Sequence, residues 1–169
     1  RDGRLSSPAL AHAMGEGLRA GGCDVIDLGL VPTPVLYFAT HHYQDADAGV
    51  MVTGSHHPAD YNGFQFVLGG HALGGAGLAG LRERVEQRCF SEGDGGEEQR
   101  DVLPAYLNAM QRRHELSRPM KVVVDCGNGA AAVAAPEALI LMGCDVVPLF
   151  LEVDGHFPNH TPDPADPDT

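Results

Sequence analysis

Thr53-Gly54-Ser55-His56-His57-Pro58-Ala59-Asp60-Tyr61-Asn62-Gly63-Phe64 lies between two apolar runs, Gly49 to Thr53 and Gly63 to Leu68. Each run is short, continuous and bounded by turn residues, so each reads as a buried strand. A polar loop between such strands places Ser55 at a strand end, where α/β proteins hold their ligands. Gly54 lets the backbone turn sharply and gives a ligand close access. His56 is a neighbouring proton carrier that works near neutral pH. Taken alone, Gly-Ser-His is an ordinary turn composition. The Gly-x-Ser-x-Gly elbow of hydrolases is absent, since positions 52 to 56 read Val-Thr-Gly-Ser-His.

Outward from this loop, helix and strand signals alternate. Ser7-Pro8 resembles a cap with proline at the first helical position, and Leu10, Met14 and Leu18 recur at helical spacing until Gly21-Gly22. Cys23 to Leu28 reads as a strand. Thr33-Pro34 repeats the cap signal before an apolar helical face, and Leu78, Leu81 and Val85 mark another helix. Gly69 to Gly75 reads as a surface turn. Ser91 to Arg100 is polar and glycine-rich, the composition of a linker or long loop. After it come a helix from Leu103, capped by Asp101, and a strand within Lys121 to Asp125. A turn at Gly127-Asn128-Gly129 follows, then a helix ending at Gly143, with Pro136 in its first turn or kinking it, and a strand over Asp145 to Leu151. Alternation of this kind specifies α/β layers, and continuous apolar strands imply sheets covered on both faces.

The 169 residues carry 23 acidic and 11 basic side chains, a formal charge of −12. So negative a surface repels nucleic acid and anionic membranes. The chain lacks Trp and has only 6 % aromatic residues, which excludes base-stacking platforms. No stretch approaches the roughly 18 uninterrupted apolar residues of a membrane helix. Cys23, Cys89, Cys126 and Cys144 form no Cys-x-x-Cys pair, so reduced and mostly buried thiols in a cytoplasmic protein are expected. The first residue is Arg1, and the last eight read Pro-Asp-Pro-Ala-Asp-Pro-Asp-Thr, with no closing helix or strand. Both ends are expected to be cut.

Thr53 to Gly63 resembles the phosphoserine loop of the α-D-phosphohexomutases, written Thr-Gly-Ser-His-Asn-Pro with Tyr-Asn-Gly-Phe-Lys shortly after. Arg1-Asp2-Gly3-Arg4-Leu5-Ser6 is similar to that family's early Arg-Asp-Gly-Arg segment, and Val31-Pro32-Thr33-Pro34 to its helix start before the serine loop. Val123 to Gly129 resembles the opening of its second domain. Glu152 to His160, followed by Pro162-Asp163-Pro164, resembles the loop after that domain's second strand in the bacterial phosphomannomutase/phosphoglucomutase branch.

The resemblance implies a three-layer α/β/α first domain with a mixed sheet over residues 1–100. The truncated start of a similar α/β domain would follow over 101–169. It implies an intact cytoplasmic isomerase of four domains around a cleft, acting on mannose or glucose phosphates. Ser55 would be the phosphoryl carrier. It would interconvert hexose 6-phosphate and hexose 1-phosphate through a 1,6-bisphosphate, with glucose 1,6-bisphosphate as activator. His56 would assist by hydrogen bonding or proton transfer, and Arg1, Arg4, His57 and Gln65 would lie toward phosphate. Mg²⁺ would bind a phosphoserine oxygen on Ser55 and aspartates of a later loop that these residues lack. This chain alone would then have no turnover and would act only with the remaining domains of its own longer chain.

Two departures bear on activity. The family's Asn after the histidine is His57, and its Lys after Gly-Phe is Gln65. Gln donates a hydrogen bond but carries no charge and gives up no proton readily, a loss worth roughly 10²-fold or more in rate. A non-catalytic sugar-phosphate-binding homologue is therefore the alternative. A third reading, a metal-dependent hydrolase, rests on the spacing of His156 and His160 near Asp154 and Asp163.

Overall fold

The computed structural model describes residues 1–114 and 116–167. Its first half runs α1 (Ser7–Ala20), β1 (Val25–Asp27), α2 (Thr33–His42), β2 (Ala48–Val52), β3 (Phe64–Leu68), β4 (His71–Ala72) and α3 (Ala76–Glu86). Then follow β5 (Glu97–Gln99), α4 (Leu103–Arg113), β6 (Lys121–Asp125), a 3-10 turn (Ala130–Val133), α5 (Ala135–Leu141) and β7 (Asp145–Leu149). Helices and strands alternate as the apolar periodicity demands, and the class is α/β.

Strand directions are mixed. β2, β3 and β4 pair antiparallel, while β1 pairs with β5 and β6 with β7 in parallel. The strands hydrogen-bond in three groups. Arg1 and Asp2 link two of them: the Arg1 carbonyl accepts from the Val31 N–H beyond β1, and the Asp2 N–H donates to the Val52 carbonyl at the end of β2. Register Val52↔Phe64 is extended by the Thr53 N–H donating to the Gly63 carbonyl, which closes the base of the loop between β2 and β3.

Three elements depart from the sequence expectation. Part of the supposed linker is β5, and the glycines before it serve close packing: a Cβ on Gly95 would lie 2.0 Å from the Cys23 carbonyl oxygen. His71 and Ala72, expected in a turn, form β4 against β3. The single helix expected up to Gly143 is divided at Ala134, so that Pro136 falls in the first turn of α5, where its missing N–H costs no hydrogen bond. The cysteines need correction as well. Cys126 and Cys144 are buried, but Cys23 and Cys89 are exposed.

Val31, Val35, Ala39, Val102 and Ala134 form one buried cluster, with Phe38, Leu103 and Tyr106 packed on it. It draws on α2 from the first half and on α4 and the segment before α5 from the second. The β6–β7 pair is covered on one face only: Val123 is 63 % exposed and Val147 37 %.

Candidate active site

Ser55 begins the loop between β2 and β3 in a left-handed conformation (φ 50°). A non-glycine residue pays about 1–2 kcal/mol for that conformation, so its surroundings must hold it there. The Thr53 Oγ1 accepts from the Ser55 N–H at 2.9 Å. The main restraint is Arg4, whose side chain is 1 % exposed. Its Nη2 donates to the carbonyls of Ser55 (2.9 Å) and His57 (2.7 Å). Its Nη1 donates to those of Pro58 and Tyr61, and its Nε to Asp2 Oδ2 at 3.2 Å. All five guanidinium N–H bonds are thereby directed at the protein.

The sequence places Arg4 toward phosphate, whereas in this structure its guanidinium is turned into the protein. It has no donor left for a substrate, and it shapes the loop from beneath. Asp2 completes the arrangement by accepting from the Arg4 and Gly54 N–H groups and from the Ser7 hydroxyl. Asn62 Nδ2 donates to Ser6 and Ser7 Oγ, which ties the far side of the loop to the start of α1. Ser7 is therefore the first helical residue, with its hydroxyl spent on Asp2 rather than on capping. A Cβ on Gly54 would lie 2.6 Å from Arg4 Cζ and 2.7 Å from the Tyr61 carbonyl oxygen, so only glycine fits over the guanidinium.

The Ser55 hydroxyl is left on the outer side. Gln65 Nε2 donates to Ser55 Oγ at 3.2 Å. His56 is exposed and its Nδ1 meets the Pro162 carbonyl at 3.1 Å. His57 faces elsewhere: Nδ1 meets the Gly54 carbonyl, and the ring stacks on Tyr61. Arg1 also stays outside the cleft. Its amino group donates to the Gly29 carbonyl and its guanidinium to the Asp2 carbonyl. Neither is brought to the serine hydroxyl.

Ser55 and His56 line one wall of a cleft of about 820 Å³. The opposite wall comes from the second half, with Asp125, Gly127, Phe157, His160 and Pro162. The Phe157 ring lies over Arg4, with Cζ 5.2 Å from the ring centroid. His160 Nδ1 donates to its neighbour Thr161's carbonyl at 2.7 Å, and Nε2 faces both Asp125 oxygens at 3.2 Å. Two acceptors on two ring nitrogens favour the doubly protonated imidazolium, so the carbonyl first and the carboxylate second raise the His160 pKa. Cys126, also in the wall, has its thiol pKa raised by burial and by Asp125, which makes it a poor nucleophile.

His156 pairs with Asp154 and His160 with Asp125, so the two histidines expected to share a metal are committed to different carboxylates. Among the described residues no three His, Cys, Asp or Glu side chains come together as a metal site. These residues alone do not fit a Mg²⁺ ion.

The structure places Ser55 and His56, both expected from the sequence, in one cleft with Asp2, Asp125 and His160, which the sequence reading did not name as site residues. Asp2 and Arg4 had one available signal: a buried carboxylate and guanidinium two residues apart in a Gly-containing turn can pair.

Comparison with known proteins gives a consistent result. The family model for phosphoglucomutase/phosphomannomutase α/β/α domain I matches residues 1–91, and that for domain II matches residues 104–169. A phosphomannomutase/phosphoglucomutase of Pseudomonas aeruginosa is 50 % identical over 168 residues, which cover 99 % of this chain and 36 % of that protein. A phosphoglucomutase of Neisseria gonorrhoeae is 42 % identical over 170 residues, covering 99 % and 37 %. A crystal structure of a phosphoglucomutase/phosphomannomutase family protein from Burkholderia thailandensis superposes with a TM-score of 0.93 at 47 % identity, covering 99 % of this chain and 38 % of that one. The chain thus spans little more than a third of the length of the relatives it matches. With both α/β domain models matched in order around the Ser55 loop, the chain belongs to the phosphoglucomutase/phosphomannomutase family.

Proposed function

We propose that this chain is the phosphoryl-carrying part of a phosphohexomutase, an isomerase that interconverts hexose 6-phosphate and hexose 1-phosphate of mannose or glucose. The observation that carries the reading is the Ser55 hydroxyl, held at a cleft wall by a loop whose carbonyls Arg4 gathers. Phosphoryl transfer is mostly positioning and charge stabilisation, and a loop so restrained supplies the first.

In the proposed step, a sugar hydroxyl oxygen bonds to the phosphorus on Ser55, and the bond from phosphorus to Ser55 Oγ breaks. His56 takes the hydroxyl proton and passes it to Ser55 Oγ as the bond to phosphorus breaks, so the serine leaves as a neutral hydroxyl, while Gln65 donates a hydrogen bond to that oxygen. The bisphosphate turns over in the cleft and returns its other phosphoryl group to Ser55. Added glucose 1,6-bisphosphate would recharge an unphosphorylated serine. Mg²⁺, when bound to the intact enzyme, would neutralise the transferring phosphate. A phosphoserine oxygen on Ser55 is the one ligand proposed from this chain. The others would come from sequence outside these residues, as would the contacts that choose the sugar. The unit boundary is proposed near residue 100, with cytoplasmic location, and this chain alone is proposed to be inactive.

Intact mass of the gene product, with and without Ser55→Ala, tests the proposal. A phosphate-sized increment that is lost in the variant and exchanges with glucose 1,6-bisphosphate is expected. No increment after incubation with the bisphosphate and Mg²⁺ would remove the reading. Gln65 favours the second reading, a sugar-phosphate-binding homologue without turnover. That protein would bind hexose phosphate but never carry phosphate on Ser55.

A further inference from the structure

The contact between His56 and Pro162 joins the two halves of the chain at the reacting serine. A backbone carbonyl oxygen only accepts hydrogen bonds. The 3.1 Å approach of His56 Nδ1 to the Pro162 oxygen therefore requires the proton on Nδ1. In a neutral imidazole that leaves the lone pair on Nε2. A partner on one ring nitrogen commonly sets which nitrogen does the chemistry.

The segment that carries Pro162 is held by residues for which no contact with Ser55 or His56 is seen. Asn128 is buried and left-handed (φ 56°), and its Nδ2 donates to the Glu152 carbonyl at 2.8 Å. Asn159 Nδ2 donates to Asn128 Oδ1 at 2.7 Å, and the Asp154 N–H donates to the Asn128 carbonyl. Gly155 lies against the chain at Gly3 and Leu5, where a Cβ would come within 2.6 Å of the Leu5 nitrogen. The segment that leads to Pro162 is thus fixed on β6–β7 through Asn128, on the N-terminal turn through Gly155, and on the end of β6 through His160, whose Nε2 faces Asp125 at 3.2 Å.

We infer that the Pro162 carbonyl is a positioning group for catalysis: it holds His56 as the Nδ1–H tautomer, with Nε2 as the proton-accepting nitrogen, and the Asn128–Asn159 pair helps hold the segment that carries Pro162. The inference rests on the proposed role of His56. It assigns the second half of the chain a part in acid–base chemistry performed at the first. The acid–base function of the serine loop is then complete only when the 152–162 segment is docked.

The test uses the intact gene product with labelled histidine, read by imidazole nitrogen and carbon NMR at a pH where the ring is neutral. Wild-type His56 is expected as the Nδ1–H tautomer. Asn128→Gly keeps the left-handed backbone while removing the side chain, and Asn159→Ala removes the other half of the pair. In both variants the His56 signals are expected to shift toward a tautomer mixture. The phosphoryl-transfer rate should then fall at least roughly 10-fold, toward the roughly 10²-fold that acid–base assistance supplies, with KM little changed. An Nε2–H tautomer in the wild type would overturn the inference, and so would an Nδ1–H tautomer that survives in both variants. The tautomer is read independently of Ser55 phosphorylation. Absence of the phosphate-sized mass increment would defeat the proposed function on separate grounds.

Discussion

At the scale of single residues, Arg4 and Gln65 divide the work around Ser55, one below the loop and one beside the hydroxyl. Arg4 is a buried cation whose carboxylate partner is two residues away and whose four carbonyl partners all lie in the Ser55 loop. Removing one member of a buried pair leaves the other desolvated and costs about 3–5 kcal/mol. Arg4→Met should therefore destabilise the protein by about that much and release Ser55 from its left-handed conformation. Arg4→Lys should recover only part of the loss, because an ammonium cannot reproduce the planar fork. Urea unfolding measures both, and a change within about 0.5 kcal/mol for Arg4→Met would contradict the assignment. Gln65 makes the opposite case, a residue that is present but chemically weak. Gln65→Lys would place a cation near Ser55 Oγ, where Nε2 now lies at 3.2 Å. A rise of roughly 10-fold or more in the rate at which phosphorylated Ser55 transfers to a hexose monophosphate is expected. An unchanged single-turnover rate would mean that the hydrogen bond alone suffices. The placement of Ser55 and His56 at a strand end was legible in the sequence, because strand ends are local properties. The role of Arg4 was not, since which carbonyls a long side chain reaches depends on how β2, β3 and the N-terminal turn meet.

At the scale of elements, one titrating pair helps to hold the segment after β7. His160 is clasped by its neighbour Thr161's carbonyl and by Asp125 at the end of β6, with the Phe150 ring edge against it. Its folded pKa is raised. The stabilisation from this pair is therefore complete below the ordinary histidine value of about 6.5 and is lost as pH rises through the higher folded value. The His160 carbon resonances should titrate with a midpoint above that of a histidine peptide, and Asp125→Asn should lower the midpoint. A midpoint unmoved by the substitution would show that the carboxylate contributes nothing. Element legibility followed a similar rule. α1, α2, β2, β3 and β6 were readable because apolar spacing and proline signals are intrinsic to those stretches. β5 was not, since Glu97–Gln99 is polar and is a strand only because β1 lies alongside to pair with it. The glycines before it resemble a flexible linker in composition, yet Gly95 is required by the approach of Cys23.

At the scale of the whole molecule, the two halves are joined by more than the cleft. The cluster of Val31, Val35, Ala39, Val102 and Ala134 takes residues from both sides of the 91–100 stretch, so its packing energy cannot be assigned to either half. Phe157 over Arg4 and Pro162 on His56 continue the same contact to the serine loop. A structure joined through its core should lose protection on both sides when that core is weakened, whereas two independently stable units would not. Val102 offers the cleanest perturbation because it is 1 % exposed and lies just before α4. Val102→Ala removes two methylene equivalents and leaves a cavity, at a cost of about 2 kcal/mol. Native-state hydrogen exchange should then show faster exchange at Met51 and Val52 in β2 and at Val122 and Val124 in β6, by comparable factors of roughly 10- to 30-fold. If exchange rises in only one of those strands, the cluster belongs energetically to that half. The cleft between Ser55 and His160 would then be an interface between units that open independently, and the geometry of His56 against Pro162 would be one state among several. Equal acceleration in both strands would mean that the serine loop and the wall it faces form and melt together.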